Sequence, residues 1–180
     1  MAATITTATI TKQEKELQSR TKAAQRLFKN LEDKYIQKCG AHTEKIGGTE
    51  HQVFTDVTGG LGFALTSPLD GLLGTEKAAM RISNILSDID NDFVYKKGLM
   101  LNMPEIKNEI KKTKELFKYM DNPTVRYEID GYEYNATLIM SAVKILGGQV
   151  RVSQVRIARQ YWEILVFESE NGKAIIMPLR

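Results

Sequence analysis

The stretch Val125-Arg-Tyr-Glu-Ile-Asp-Gly-Tyr-Glu-Tyr-Asn135 decides the fold class, because apolar or aromatic side chains alternate there with charged ones. Alternation with a period of two is typical of a β-strand, and the central Asp-Gly pair favours a tight two-residue turn. In that register Tyr127 lies opposite Tyr134, and Ile129 lies opposite Tyr132. The sequence therefore predicts an antiparallel hairpin in this stretch.

The residues after this hairpin carry further strand signals. The pattern predicts a strand over 149–159 and a second hairpin with arms at 161–168 and 173–177, in which Glu170 opposes Lys173. The segment 136–146 fits either a helix ended by a glycine or a long β-branched strand, and the helix is slightly favoured. Residues 124–180 are thus predicted to form an antiparallel sheet of four or five strands with one helix against it.

A long helix is predicted near the N-terminus, from Thr11 to Cys39, with Gly40 ending it. Its apolar residues recur at spacings of seven, four, three and four, which is the period of an amphipathic helix. They are Leu17, Ala24, Phe28, Leu31 and Tyr35. Such a helix is about 42 Å long, which is more than an ordinary globular helix needs. We therefore expect it to pack on something larger than its own domain.

Two further helices are predicted in the middle of the chain. One runs from Glu76 to Phe93 and has Thr75 as a candidate N-cap. The other begins at Pro104, a residue that suits the first turn of a helix, and continues until Asn122 and the proline after it. With the sheet that follows, these helices predict an α+β protein.

Charge and glycine content divide the chain into four segments. Residues 1–40, 41–75, 76–123 and 124–180 carry net charges of +4, −3, +1 and +1, which add up to the total of +3. Eight of the 13 glycines lie between residues 40 and 74. That density predicts that residues 41–75 are a glycine-rich connector. An N-terminal arm and a long basic helix precede it in residues 1–40. A helical hairpin over 76–123 and the sheet domain over 124–180 follow it.

Composition narrows the class of protein. The chain of 180 residues is 42% apolar and 26% charged, which is typical of a globular protein and excludes wholesale disorder. A single cysteine excludes an intramolecular disulfide and favours a reducing compartment, so we expect a cytoplasmic or virion protein. The first residues lack a signal-peptide pattern, and no stretch is apolar enough to predict a membrane span.

Enzymatic and metal sites find little support in the sequence. Cys39, His42 and His51 lie close together, but their spacing matches no standard zinc pattern and gives weak support to a Cys–His nucleophile. The loop at 58–62 lacks the lysine and helix start of a phosphate-binding loop, and the acidic run at 88–92 lacks the glycine and glutamate of a calcium loop. We therefore predict no catalytic residue, metal or cofactor.

Nucleic-acid binding is the alternative function that the sequence allows. The stretch 149–162 carries three arginines and no acidic residue and ends in two aromatic residues, a composition suited to phosphates and stacked bases. The candidate residues are Arg151, Arg156, Arg159, Tyr161 and Trp162. In an unbroken strand, however, Arg156 points away from the face that holds Arg151 and Arg159.

The sequence favours a non-enzymatic structural or assembly subunit of a larger complex, homo- or hetero-oligomeric, with a virion or connector component as the concrete example. A β-branched tract without charge precedes the long helix and suits addition as a strand to a neighbour's sheet. We predict that this tract and the apolar stripe of the helix contact other protein subunits. The predicted contact residues are Thr4, Ile5, Ile10, Leu27, Phe28, Leu31 and Tyr35.

Overall fold

The computed structural model describes residues 11–35, 40–55, 60–72, 86, 93–120, 123–158 and 162–179. Its helices are α1 (Lys12–Tyr35), α2 (Met103–Leu116) and α3 (Ala136–Leu146). Its strands are β1 (Gly40–Ile46), β2 (Thr49–Thr55), β3 (Leu61–Leu65), β4 (Phe93–Leu99), β5 (Arg126–Ile129), β6 (Tyr132–Asn135), β7 (Arg151–Ile157), β8 (Ile164–Ser169) and β9 (Gly172–Ile176). The protein is therefore α+β.

Seven of these strands form one antiparallel sheet in the order β1-β2-β3-β9-β8-β7-β4. The last strand in the chain, β9, lies in the middle and joins the meander β1–β3 to the other three strands. Strands β5 and β6 form a separate two-stranded hairpin. The edge strands of the large sheet are β1 and β4.

The helices pack on one face of the sheet. Helix α3 contacts β8 and β9 and separates α1 from α2, which both pack against it. Phe28 of α1 meets the sheet edge-on, with its ring centroid 4.9 Å from that of Phe54, which stacks at 4.4 Å on Phe63. All three rings are buried, so α1 is fixed to the sheet of its own chain.

The opposite face of the sheet is also apolar. It holds a second buried cluster, formed by Val53, Ala64, Val155, Ile157, Ile164, Val166 and Ile175, against which Leu86 packs. Leu86 is helical and only 2% exposed. Strands buried on both faces have continuous apolar sequences rather than alternating ones, and all five residues of β3 are buried.

The predicted glycine-rich connector is wrong, because residues 40–46, 49–55 and 61–65 are strands of the main sheet. Glycines at a turn caused the error. Gly47 and Gly48 have φ of +58° and +83° and form the two-residue turn between β1 and β2, a position that strongly favours glycine. The sheet consequently has seven strands, and the prediction of four or five confined to the C-terminal segment is wrong.

The middle of the chain agrees with the sequence in part. Asn102 caps α2 by accepting a hydrogen bond from the Glu105 amide, and a proline occupies the first turn as predicted. The predicted helix over 76–93 lies outside the described residues except for Leu86 and Phe93. Phe93 begins β4, an edge strand that the sequence pattern did not predict.

The C-terminal predictions are mostly confirmed. Tyr127 pairs with Tyr134 and Ile129 with Tyr132, and residues 136–146 form a helix. The register of the second hairpin differs, since Lys173 pairs with Glu168 and not with Glu170. The turn is therefore formed by residues 170–171, and the glycine at 172 belongs to the strand.

No helix within the described ranges combines the length and the apolar character that crossing a membrane requires.

Candidate functional site

The structure places the predicted contact residues of α1 in two groups. Leu27 and Phe28 are 4% and 8% exposed and belong to the helix-face core. Their prediction as partner contacts is corrected, because burial against the chain's own sheet leaves no surface for a partner. The backbones of Leu31 and Tyr35 belong to α1, while their side chains lie outside the description, as do Thr4, Ile5 and Ile10 entirely.

The start of α1 is a fixed point just after the β-branched tract. The Thr11 amide donates to Glu14 Oε2 at 2.7 Å, and Thr11 Oγ1 accepts from the Glu14 amide at 3.2 Å. This reciprocal pair is a capping box, which satisfies two amides at the helix start. The hydrogen bonds from Thr11 lower the pKa of Glu14. The residues before Thr11 are therefore attached to a helix end whose position is fixed by the capping box.

A shallow cavity of about 360 Å³ lies beside the first turns of α1. It is lined by Glu14, Leu17, Gln18, Thr21, Lys22, Gln25 and Asp70. One apolar side chain among seven, with charges of both signs, forms neither an apolar ligand pocket nor a converging catalytic set.

Arg20 of α1 is a buried charge, 4% exposed, that links three other parts of the fold. Its guanidinium donates to the Ile145 carbonyl at 2.8 Å and to Asn171 Oδ1 at 2.9 Å, and two longer bonds reach Ser67. Burial lowers the pKa of Arg20, and the nearby carboxylates of Glu16 and Glu170 partly oppose that shift. Because these contacts occupy the guanidinium, Arg20 has a structural role.

Tyr134 lies at the centre of a second buried polar cluster, beneath the β5–β6 hairpin. Its hydroxyl donates to the Glu163 carbonyl at 2.8 Å and accepts from Gln154 Nε2 at 3.3 Å. Burial raises the pKa of Tyr134 to about 12. The oxygen of the Gln154 amide is buried and accepts no hydrogen bond from the residues that the structure describes. The cluster fixes the hairpin on the sheet and presents no group ready for proton transfer near neutral pH.

The raised pKa of Tyr134 predicts a loss of stability in alkali. The unfolded phenol ionises near pH 10.0 and the folded one near pH 12, so the stabilisation is complete below pH 10 and is lost as pH rises towards 12. We expect the free energy of unfolding to fall by up to about 1.4 kcal/mol per pH unit in that window. Chemical denaturation of wild type and of Tyr134→Phe across pH 9–12 measures this slope. An identical slope in the variant would contradict the assignment to Tyr134.

The arginine-rich stretch is only partly a free basic surface. Arg151 is exposed at the start of β7, whereas Arg156 is paired with Glu163 at 3.3 Å and lies 5.9 Å from the centre of the Tyr95 ring. Trp162 is 36% exposed, and Arg159 and Tyr161 lie outside the described residues. A carboxylate on Arg156 competes with any phosphate for that side chain.

The histidines lie on the first two strands. His42 Nε2 is 3.6 Å from Glu44 Oε2, and His51 Nδ1 is 2.8 Å from the Thr49 carbonyl oxygen. Cys39, the third member of the weak zinc pattern, is outside the described residues. Within the residues that are described, no three candidate ligands come together as a metal site.

The two edge strands differ in how far they are protected. Strand β1 pairs with β2 without interruption over seven residue pairs, from Gly40 to Ile46. Strand β4 has a register shift between Phe93 and Tyr95, carries two lysines, and is tied to the β5–β6 hairpin by an ion pair between Lys97 and Asp130. Bulges and lysines are the devices that block edge-to-edge pairing. Strand β1 has one lysine, Lys45, and no register shift, whereas β4 has two lysines and a register shift, so β1 is the more open edge.

The end of α2 presents a surface that the sequence pattern missed. Four large apolar side chains there are 47–89% exposed: Leu116, Phe117, Tyr119 and Met120. The sequence predicted a helix that continues until Asn122 and so includes Phe117 and Met120, but α2 ends at Leu116. Four lysines lie in the same segment, at 111, 112, 114 and 118. This density of charge was the sequence signal that could have predicted a solvent-exposed segment.

Neither a scan against models of protein families nor searches of curated proteins and of solved structures find a match to this chain.

Proposed function

We propose that this chain is a non-enzymatic assembly subunit that joins a neighbouring copy by strand addition. The segment Thr4–Ile10, called the arm below, pairs with the edge strand β1 of the neighbour. The observation that carries the proposal is the edge strand β1, which pairs with β2 over seven residue pairs and on whose outer side no described strand lies. A virion or connector component is the concrete form of such a subunit.

Strand β1 offers what an added strand requires. In the part of the chain that the structure describes, no strand pairs with its outer side, so that row of backbone groups is open to a partner. Thr43 and Lys45 are exposed, and the chain at this edge contains no proline. A strand placed there would extend the sheet from seven strands to eight.

The arm has the chemistry of an added strand. It has seven residues, as β1 has, carries no charge, and contains six β-branched side chains. β-Branched residues favour extended backbone, and strand addition gains affinity mainly from main-chain hydrogen bonds, which make few demands on side chains. The capping box at Thr11 gives the arm a rigid point of departure.

A second copy is the occupant that the chain itself supplies. Arm and open edge are both present in every copy, so each copy can give one contact and receive another. Such head-to-tail contacts close into a dimer or ring or continue as a filament. The proposal therefore predicts a mass in solution above that of the 20.3 kDa chain.

Removal of the arm tests this function. We expect the full chain to form an oligomer by light scattering and the chain lacking residues 1–10 to be a monomer with the same melting temperature, since the deletion ends before the cap at Thr11. The double variant Ile5→Asp, Ile10→Asp should act like the deletion, because two charges oppose burial in a sheet. An arm-deleted chain with unchanged mass would refute the proposal.

The edge strand is tested with a matched pair of prolines, Thr43→Pro and Glu44→Pro. Successive backbone amides of an edge strand point alternately to the neighbouring strand and to the outside. In one of the two variants the proline therefore removes an amide that points outward. We expect that variant to lose assembly and to keep an almost unchanged melting temperature. The other loses a bond to β2 and is less stable. Retained assembly in both variants would contradict strand addition at β1.

Nucleic-acid binding remains the second proposal, through Arg151, Arg156, Arg159, Tyr161 and Trp162. It has less support from the described residues, because Arg156 already pairs with Glu163. Positive charge is also paired with acid on the other face of the sheet near β7, since Lys96 and Lys173 both lie within 3.6 Å of Glu168 carboxylate oxygens. A surface on which cations are paired with acids holds phosphates weakly.

A further inference from the structure

The second half of α2 and the turn after it, residues 111–120, form a segment, called the tip below, that is not packed on the other parts of the chain that the structure describes. Ile106 is the buried residue of α2, and within 111–120 only Thr113 is even partly buried. The tip is nonetheless regular. The Phe117 amide donates to the Thr113 carbonyl at 2.9 Å, and the Met120 amide donates to the Phe117 carbonyl at 2.9 Å.

The apolar content of the tip is high for a solvated surface. Leu116, Phe117, Tyr119 and Met120 are 77%, 47%, 89% and 59% exposed. Single exposed apolar residues need no explanation, but four large ones within five positions of the chain are an unusual local concentration of exposed apolar side chains. Their exposure has a cost in water, and a function at this place accounts for it.

The net charge of the tip is positive. Residues 111–120 hold four lysines and one glutamate, a net charge of +3. Glu115 and Glu109 pair with Lys111 and Lys112 at 3.9 Å and 2.8 Å, and the Lys118 ammonium lies 4.9 Å from the centre of the Tyr119 ring. Lys111 and Lys112 are thus partly neutralised, and among the described residues it is Lys114 and Lys118, which have no acidic partner there, that leave positive charge beside the apolar side chains.

We propose that the tip binds the surface of a membrane that contains anionic lipid, with the four apolar side chains entering the interface and the lysines facing the headgroups. Binding at a membrane interface adds two contributions, the burial of apolar side chains and the attraction of basic side chains to anionic headgroups. The apolar residues and the lysines of the tip supply one each. Nine of the ten residues of the tip are exposed, which makes them accessible to a flat and deformable surface. The binding is peripheral, since α2 is polar on most of its surface.

The choice of lysine over arginine favours lipid over a protein partner. None of the eight arginines of the chain lies in 103–120. Arginine suits planar, paired recognition of a fixed carboxylate, whereas lysine acts as a compact charge on a flexible stem and needs no fixed geometry. Attraction to a fluid layer of anionic headgroups has that non-directional character.

Sedimentation of the full chain with lipid vesicles tests the proposal. We expect binding to vesicles that contain phosphatidylserine, little binding to phosphatidylcholine alone, and loss of most binding at about 1 M salt, where the Debye length is about 3 Å. The double variant Phe117→Ser, Tyr119→Ser should bind at least about tenfold more weakly. Lys114→Gln and Lys118→Gln should each weaken binding about fivefold.

Matched variants control for the loss of an exposed side chain as such. Met100→Ser removes a fully exposed apolar residue just before α2, at the end opposite the tip, and should leave binding unchanged. Lys12→Gln with Lys15→Gln removes two exposed lysines from α1 and should also have little effect. Since all these side chains are exposed, the melting temperatures should remain the same.

The outcomes separate this proposal from strand addition. The chain without residues 1–10 should keep its preference for phosphatidylserine and its dependence on Phe117 and Tyr119, whether or not it still assembles. Failure of the full chain to bind phosphatidylserine vesicles at low salt overturns the membrane proposal. A Phe117→Ser, Tyr119→Ser variant with unchanged vesicle binding also overturns it, and a changed mass of that variant would assign the tip to contact between proteins instead.

Discussion

Replacement of Gly172 by alanine should unfold the protein or lower its free energy of unfolding by about 3–5 kcal/mol, the range of severe overpacking together with backbone strain. Gly172 has φ of +134°, a conformation that side chains strongly disfavour. A Cβ atom there would lie 2.7 Å from Leu65 Cα and closer still to the Ala64 carbonyl oxygen. Both obstacles are backbone atoms of the paired strand β3, so no side-chain movement relieves the contact.

Two other glycines control for this effect. Gly131 also has a positive φ, +82°, but nothing lies within 4 Å of its Cβ position, so Gly131→Ala should cost about 1–2 kcal/mol from backbone strain alone. Gly98 has open space and no positive φ, so Gly98→Ala should be nearly neutral. Chemical denaturation ranks the three variants. A Gly172→Ala protein as stable as Gly131→Ala would refute the packing argument.

Replacement of Arg20 by methionine should destabilise the fold by about 3 kcal/mol or more. Methionine keeps much of the volume but donates no hydrogen bond, so the Ile145 carbonyl and Asn171 Oδ1 lose their partner in a buried site. Each buried acceptor left unsatisfied costs about 1–3 kcal/mol. The positive charge also lies at the C-terminal end of α3, where a helix favours cations.

The control for Arg20 is Arg26→Met on the same helix. Arg26 is exposed, and its replacement should change the free energy of unfolding by less than about 0.5 kcal/mol. Arg20→Lys should fall between wild type and Arg20→Met, because it keeps a charge and loses the branched donor geometry. Denaturant midpoints measure all three. Equal midpoints for Arg20→Met and Arg26→Met would show that the buried hydrogen bonds of Arg20 contribute nothing.

The sequence predicted those elements whose signal is local. The Asp-Gly turn fixed the pairing of Tyr127 with Tyr134, and a proline marked the start of α2, because both depend on the conformations of a few adjacent residues. The strand at 61–65 was missed for the opposite reason. A buried strand such as β3 carries apolar residues on both faces, and that pattern arises only when the sheet has a layer on each side.

The surfaces proposed for function were harder to predict than the fold. Leu27 and Phe28 have the spacing of a docking stripe, but the same spacing serves a helix that packs on its own sheet, and a periodic pattern does not identify the partner. The exposed apolar residues at 116–120 show the opposite case. Their spacing also suits a helix packed in a core, so the sequence did not identify them as a surface. Only the position of the helix end decides between the two.

The place of β9 has a consequence for how the polypeptide is made. This strand ends four residues before the C-terminus, and it alone holds the halves β1–β3 and β8-β7-β4 in one sheet. The pairing of Leu65 with Gly172 spans more than a hundred residues, and closing so long a loop is slow. On the ribosome, the emerging chain must keep two incomplete half-sheets apart from other chains until β9 has been synthesised.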